Sequence, residues 1–189
     1  MSVVTIVSGL PRSGTSMMMK MLEAGGIELL TDGVRRADAD NPKGYFEYER
    51  VKALRKGDQA WLAEARGKAV KVISELLKWL PEEYEYRVVF MCRNIDEMLA
   101  SQRAMLARMG KPSTEAEEQK LAGLYRKHLQ DIEAWLGERP NSEVLYVTYG
   151  DLLADPANHL PRIREFLGRS LNIDSMAAVV DPALYRQRS

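Results

Sequence analysis

A glycine-rich segment, Gly9-Leu-Pro-Arg-Ser-Gly-Thr-Ser16, separates a β-branched apolar run from a stretch whose apolar residues follow helical spacing. The run from Val3 to Ser8 predicts a strand, and the segment from Gly14 to Ala24 predicts a helix. Between two such elements, the backbone N–H groups of the loop and the positive end of the helix dipole form a concave site for an anion. The sequence therefore predicts a phosphate-binding loop at the end of the first strand.

The loop departs from the usual nucleotide-triphosphate pattern at one position. Its spacing matches Gly-x-x-x-x-Gly-Lys-Ser/Thr, but Thr15 stands where the lysine is expected and the cation comes earlier, at Arg12. A basic residue directly before Ser-Gly-Thr resembles the 5'-phosphosulfate loop of the sulfotransferases, whose donor is 3'-phosphoadenosine 5'-phosphosulfate (PAPS). The resemblance implies a donor site formed by residues of this loop: Gly9, Pro11, Arg12, Ser13, Gly14, Thr15 and Ser16.

Two further segments resemble the same family. In Cys92–Ser101, an arginine ends a predicted strand and a serine follows eight residues later, which is similar to the family's 3'-phosphate motif. Arg93 would then offer a guanidinium fork, and Ser101 a hydroxyl, to the 3'-phosphate. The segment that begins at Tyr149 resembles Tyr-Glu-Asp-Leu-x-x-Asp-Pro, whose tyrosine lies near the adenine. On these three segments the chain is identified as a sulfotransferase-like protein of the short bacterial type.

The order of predicted elements indicates an α/β fold. Strands are predicted at Val3–Ser8, Ala69–Ser74, Tyr86–Cys92 and Val144–Thr148, and helical patterns alternate with them, including one from about Glu49 to Arg66. This alternation favours a central parallel sheet with helices on both faces, a three-layer fold of the P-loop type. A single sulfotransferase-like domain over residues 1–189 is expected, with its ligand at the carboxyl ends of the strands.

The general base is the hardest residue to predict. The cytosolic enzymes use a histidine after the second strand, but His128 falls on an apolar helical stripe and His159 at a helix start. The segment Asn41–Glu47 resembles the Asn-Pro-x-Gly-x-x-Glu motif of bacterial and carbohydrate-type relatives, which implies that Glu47 faces the acceptor as the base. An exposed carboxylate that opens a helix is the alternative. Lys43 is expected to contact the sulfuryl oxygens.

The amino-acid composition limits the classes of partner and cofactor that are expected for this chain. Lys plus Arg and Asp plus Glu both number 27, so a general nucleic-acid binder is not indicated. The one cysteine, Cys92, excludes a disulfide framework and a cysteine cluster for zinc, and a cytoplasmic setting is expected. The apolar run at the N-terminus is too short for a membrane span. A small-molecule or glycan acceptor bearing a hydroxyl or amine is expected, and the family's donor needs no obligatory metal.

Two alternatives stay open at this point. A small-molecule kinase that uses ATP would fit the same loop, although Thr15 replaces its lysine. A non-catalytic nucleotide-binding or interaction protein is the other alternative, because the C-terminal Arg-Lys-Gly…Gly-Asp-Trp-Lys segment that caps the nucleotide in cytosolic enzymes is missing. Arg186 or Arg188 can replace that segment. The sequence indicates neither the acceptor nor the oligomeric state.

Overall fold

A four-stranded parallel sheet forms the centre of the molecule. The computed structural model describes residues 3–38, 41 and 44–181. The strands stand in the order β2-β1-β3-β4 and are β1 (Val4–Gly9), β2 (Ala69–Lys71), β3 (Tyr86–Cys92) and β4 (Ser142–Thr148). The α-helices of this part of the chain are α1 (Thr15–Ala24), α2 (Ile95–Arg108), α3 (Glu115–Gly137), α4 (Tyr149–Ala154), α5 (Pro156–Leu167) and α6 (Ile173–Ala177). Segments of 3₁₀ helix span Glu49–Lys56, Ala60–Ala63 and Ser74–Trp79.

Helices cover both faces of the sheet, and alternate strand residues point to opposite sides. Ile6 is buried with Trp61 from a 3₁₀ segment and with Ile132 from α3. Val7, the next residue of β1, is buried on the other face with α1, α5 and α6. Strands enclosed on two sides are expected to be apolar throughout, and β1 is fully buried along its length. The predicted three-layer α/β fold is confirmed.

The predicted long helix from Glu49 to Arg66 is wrong. The chain instead forms two 3₁₀ segments, and Gly57, with a φ of 84°, ends the first of them in a left-handed conformation. Arg50 then pairs with Asp58 across this turn, at 2.6 Å. This break between the two segments allows Trp61, which is completely buried, to reach the core. A continuous helix would point the Trp61 side chain in a different direction.

The carboxyl ends of the strands bring distant parts of the chain together. The glycine-rich loop follows β1, Lys71 is the last residue of β2, Arg93 follows β3 and Tyr149 follows β4. The strand β1 has β2 on one side and β3 on the other, so the connections of the sheet run in opposite directions from it. Ligands of open parallel sheets bind at the carboxyl ends of the strands beside such a point. Within the described residues no helix is long and apolar enough to cross a membrane.

Candidate active site

A cavity of about 500 Å³ opens at this edge of the sheet. Most residues predicted to form the site line it: Pro11, Arg12, Gly14, Thr15, Ser16, Glu47, Arg93, Ser101 and Tyr149. Gly9 and Ser13 do not line it. Gly9 lies against Ser13 and against Met91 of β3, on the side of the loop that faces away from the cavity. Lys43 lies outside the described residues, as do the C-terminal arginines.

The conformation of the loop depends on its two glycines. Gly9 has a φ of 147°, and a Cβ there would lie 2.7 Å from the carbonyl oxygen of Met91 and would overlap with Ser13 Oγ. Gly14 has a φ of 100° and gives no side-chain cap to α1. The N–H groups of the first turn of α1 are therefore not capped by its N-terminal side chain and can bind an anion. Ser13 is buried, and its Oγ has no hydrogen-bond partner in the described part of the chain.

The two predicted donor-binding segments meet at Arg12. Its Nε donates a hydrogen bond of 2.9 Å to Ser101 Oγ on α2, and its main-chain oxygen accepts one of 3.1 Å from Arg93. Arg93 also donates from Nε to Glu97 at 3.0 Å, and both of these side chains are more than nine-tenths buried. Sequence segments about 90 residues apart thus converge on one group of polar atoms.

Tyr149 holds the loop and Arg93 together. Its ring lies against Gly14, where a Cβ would overlap with it, and the Arg93 guanidinium stands 4.7 Å from the ring centre. Burial raises the pKa of Tyr149, so its hydroxyl stays protonated at neutral pH. In this geometry Tyr149 contacts the phosphate-binding loop and Arg93 as well as lining the cavity.

Lys71 is a site residue that the sequence pattern did not single out. Its side chain is 8% exposed, and its Nζ donates to Ser16 Oγ at 3.1 Å and to the Tyr45 carbonyl oxygen at 3.0 Å. Burial lowers its pKa to about 8, although the nearby Glu47 carboxylate opposes that change. The available signal was a lysine at the end of an apolar strand, since a charged residue is rarely buried unless it is paired.

Glu47 lies in the cavity within 4 Å of three cations. Its carboxylate oxygens stand 2.7 Å from Arg35, 3.7 Å from Lys52 and 3.9 Å from Lys71. It does not open a helix, because the 3₁₀ segment begins at Glu49 and Tyr48 occupies its N-terminal cap position. The preceding residue, Phe46, has a φ of 52°, a conformation that costs energy for a bulky side chain.

The histidines are elsewhere. His128 lies on α3, and its Nε2 is 2.9 Å from Oγ of Ser74, the first residue of the 3₁₀ segment Ser74–Trp79. Burial lowers the pKa of His128. His159 is partly buried on α5. Neither histidine lines the cavity, and the residues that line it shortly after β2 are Ile73 and Leu76. Among the described residues, no group of three His, Cys, Asp or Glu side chains is arranged to hold a metal ion.

Comparison with known proteins assigns the chain to a family. The sulfotransferase domain model matches residues 4–187, and the chain belongs to that family. The fold is similar to the sulfotransferase domain of the Synechococcus PCC 7002 olefin synthase, with a TM-score of 0.59, 14% identity, and coverage of 98% of this chain and 88% of that one. A sulfotransferase from Mycobacterium tuberculosis gives a TM-score of 0.64 and 17% identity, with coverage of 98% and 73%.

A mouse sulfotransferase solved with PAP, the desulfated donor, has a TM-score of 0.56 and 18% identity; 95% of this chain and 63% of that chain are covered. At these identities the structural matches establish the fold. No curated protein sequence matched the chain. The class of protein is thus a transferase of the sulfotransferase family.

Proposed function

We propose that this protein transfers a sulfuryl group from PAPS to the hydroxyl of a small-molecule or glycan acceptor. The observation that carries the proposal is the convergence of Arg12, Arg93 and Ser101 beside the phosphate-binding loop, with Lys71 and Glu47 in the same cavity. One end of the cavity therefore offers donors for a nucleotide's phosphates. The other end offers an amine and a carboxylate suited to a proton-coupled transfer.

The donor would be held by the loop and by α2. The uncapped first turn of α1, with Thr15 and Ser16 lining the cavity, fits a 5'-phosphate, and Arg93 with Ser101 fits a 3'-phosphate. PAPS supplies the sulfuryl group, whose sulfur bonds to the acceptor oxygen while the S–O bond to the phosphate breaks and its electron pair leaves with the phosphate. Arg12 would stabilise the negative charge that develops on that oxygen.

Glu47 would accept the proton of the acceptor hydroxyl, and Lys71 would neutralise charge on the sulfuryl oxygens. Two features support this assignment. The Glu47 carboxylate is 3.9 Å from Lys71, which in turn contacts Ser16 of the loop. The strained Phe46 directs the chain so that Glu47 lines the cavity rather than capping a helix. A residue held in this way at an energetic cost is more often functional than structural.

Donor identity can be tested by nucleotide-dependent stabilisation. We expect PAP to raise the Tm more than AMP, which lacks the 3'-phosphate, and more than ATP with magnesium, because at equal concentration a ligand that binds more tightly stabilises the native state more. Transfer of labelled sulfate from PAPS to a panel of hydroxyl compounds then measures the activity. Stabilisation by ATP with magnesium and not by PAP would instead favour the kinase, and PAP binding without any transfer would favour a binding protein.

The role of Glu47 can be tested by Glu47→Gln. This change keeps the shape of the side chain but removes its ability to accept a proton, so kcat should fall by about 100- to 10,000-fold while PAP affinity stays close to that of the wild type. Glu49→Gln is the matched control, since Glu49 is exposed and does not line the cavity. Near-normal turnover in Glu47→Gln would remove Glu47 from the mechanism.

A further inference from the structure

The cavity is lined by more basic than acidic residues. The basic residues that line it are Arg12, Lys20, Arg35, Lys52, Lys71, Arg93 and Arg108, and the acidic ones are Glu47 and Asp181. The chain as a whole has equal numbers of basic and acidic residues, so this distribution is local. PAPS carries about four negative charges at neutral pH. Because Glu97 neutralises Arg93, the charge of PAPS is about equal and opposite to the net charge of this lining, so the charged groups beside the acceptor decide which acceptor binds.

A series of contacts separates the donor end from the acceptor end. Ser16 of the loop contacts Lys71, and Lys71 faces Glu47. Arg35 contacts the same oxygen of that carboxylate as Lys71 does, and Lys52 stands near the other oxygen. Among the described residues, neither Arg35 nor Lys52 makes a hydrogen bond or an ion pair with the loop. Because they reach the loop only through Glu47 and Lys71, they are placed to meet the acceptor rather than the donor.

Arg35 is held in an orientation suited to an oxyanion. Its guanidinium stacks on the ring of Tyr45, 3.5 Å from the ring centre. Tyr45 is itself buried, and its hydroxyl donates to the two oxygens of Asp38 at 2.9 and 2.8 Å. Stacking fixes the plane of the guanidinium, and a fixed planar fork can bind two oxygens of one carboxylate or phosphate. Lys52, which also pairs with Glu49 at the rim, can add a single charged contact.

We propose, on the basis of the function proposed above, that the acceptor is a hydroxyl compound that carries an oxyanion, and that Arg35, assisted by Lys52, binds that oxyanion. The acceptor's anion would share Arg35 with Glu47, which now bonds to it at 2.7 Å. A second anion beside Arg35 weakens the hold of the guanidinium on Glu47, so the carboxylate is more available to accept the hydroxyl proton. Selection of the acceptor and activation of the base would then depend on the same arginine.

The test uses three phenols of similar size whose para substituent is negative, neutral or positive. Binding of 4-hydroxyphenylacetate, its neutral amide and tyramine to the PAP-loaded protein is measured by calorimetry, and transfer to each is measured with PAPS. We expect the carboxylate to bind about tenfold tighter than the amide, the size typical of one charged hydrogen-bonded contact, and tyramine to bind most weakly. A parallel series with a phosphate ester distinguishes a phosphate from a carboxylate as the preferred oxyanion.

Two variants link this order to Arg35. Arg35→Gln should remove the preference for the carboxylate, whereas Arg36→Gln, at an exposed neighbour that does not line the cavity, should keep it. Equal binding of carboxylate and amide, a preference that survives Arg35→Gln, or no binding of any of the three would overturn the inference. Failure of PAP itself to bind would instead refute the proposed function, so the two failures are distinguishable.

Discussion

Replacing the buried Lys71 by methionine should make the empty protein more stable and its donor site weaker. The pKa of Lys71 falls from its ordinary value of 10.5 to about 8, chiefly because of burial. That fall corresponds to a cost of about 3 kcal/mol for keeping the amine charged in the folded state. Methionine has a similar length and no charge, so it avoids this cost.

The substitution leaves the neighbouring polar groups with partners. The Tyr45 carbonyl oxygen, which Lys71 contacts, also accepts a hydrogen bond from Ser16 Oγ at 3.3 Å. Glu47 keeps its contacts with Arg35 and Lys52. Allowing for the hydrogen bonds that are lost, we expect the free energy of unfolding at pH 7 to rise by about 1 to 3 kcal/mol, or the Tm by roughly 2 to 10 °C.

The difference should depend on pH in a defined direction. Between pH 8 and about 10.5, the folded wild type has lost the Lys71 proton that the unfolded chain still holds. The unfolded state then binds more protons, so the contribution of Lys71 to the free energy of unfolding rises with pH in this window. The advantage of Lys71→Met should therefore be greatest below pH 8 and shrink above it.

Urea unfolding of both proteins at pH 7 and pH 9.5, each with and without PAP, measures these effects. Lys68→Met is the matched control, because Lys68 lies just before the same strand and its side chain is 29% exposed. We expect Lys71→Met to gain stability when empty and to gain less from PAP than the wild type does. A Lys71→Met protein that is less stable than the wild type and is still fully stabilised by PAP would refute this reasoning.

Three further substitutions probe the donor site. Arg12→Ala should lower the transfer rate by about 100-fold or more with the fold intact, because the developing charge loses a positioned donor, typically worth about 3 to 4 kcal/mol; kinetics on a protein of unchanged circular dichroism would show it. Arg93→Lys keeps a charge beside Glu97 but loses the fork, so calorimetry should give about tenfold weaker binding of PAP and unchanged binding of AMP. Gly14→Ala should cost at least about 1 kcal/mol from its left-handed backbone alone and more from overlap with Tyr149, seen as a lower Tm and lost PAP binding.

Local sequence patterns predicted residues that the structure brings together at one end of the cavity. The loop of Gly9–Ser16 is a contiguous segment whose glycines, strand and helix all lie next to one another in the chain. Arg93 and Ser101 lie eight residues apart across a strand end and the helix that follows it. Such short-range patterns predict the relative positions of their residues, because the spacing along a helix or after a strand fixes where the side chains point. Their meeting at Arg12 follows from the parallel sheet.

At the other end of the cavity Glu47 was predicted from a local resemblance, but Lys71 and Arg35 could not be predicted in the same way. Lys71 becomes a site residue only because β2 pairs beside β1 and ends next to Ser16. Arg35 is positioned by stacking on Tyr45, a contact within a segment that has little regular structure. The false helix over residues 49–66 has a related cause. Its helical pattern was real, but Gly57 and the demand to bury Trp61 outweighed the local preference.

Several features that cost the fold stability lie at this edge of the sheet. Among the described residues, the non-glycine residues with positive φ are Arg12, which lines the cavity, and Phe46, which lies between the cavity residues Tyr45 and Glu47. The buried lysine, Lys71, is there as well, and so is the buried ion pair of Arg93 with Glu97. A core could be built more stably with apolar residues at such positions. Their concentration where four strand ends meet is therefore best explained by binding of a strongly charged ligand, which would offset in the complex what these groups cost in the empty protein.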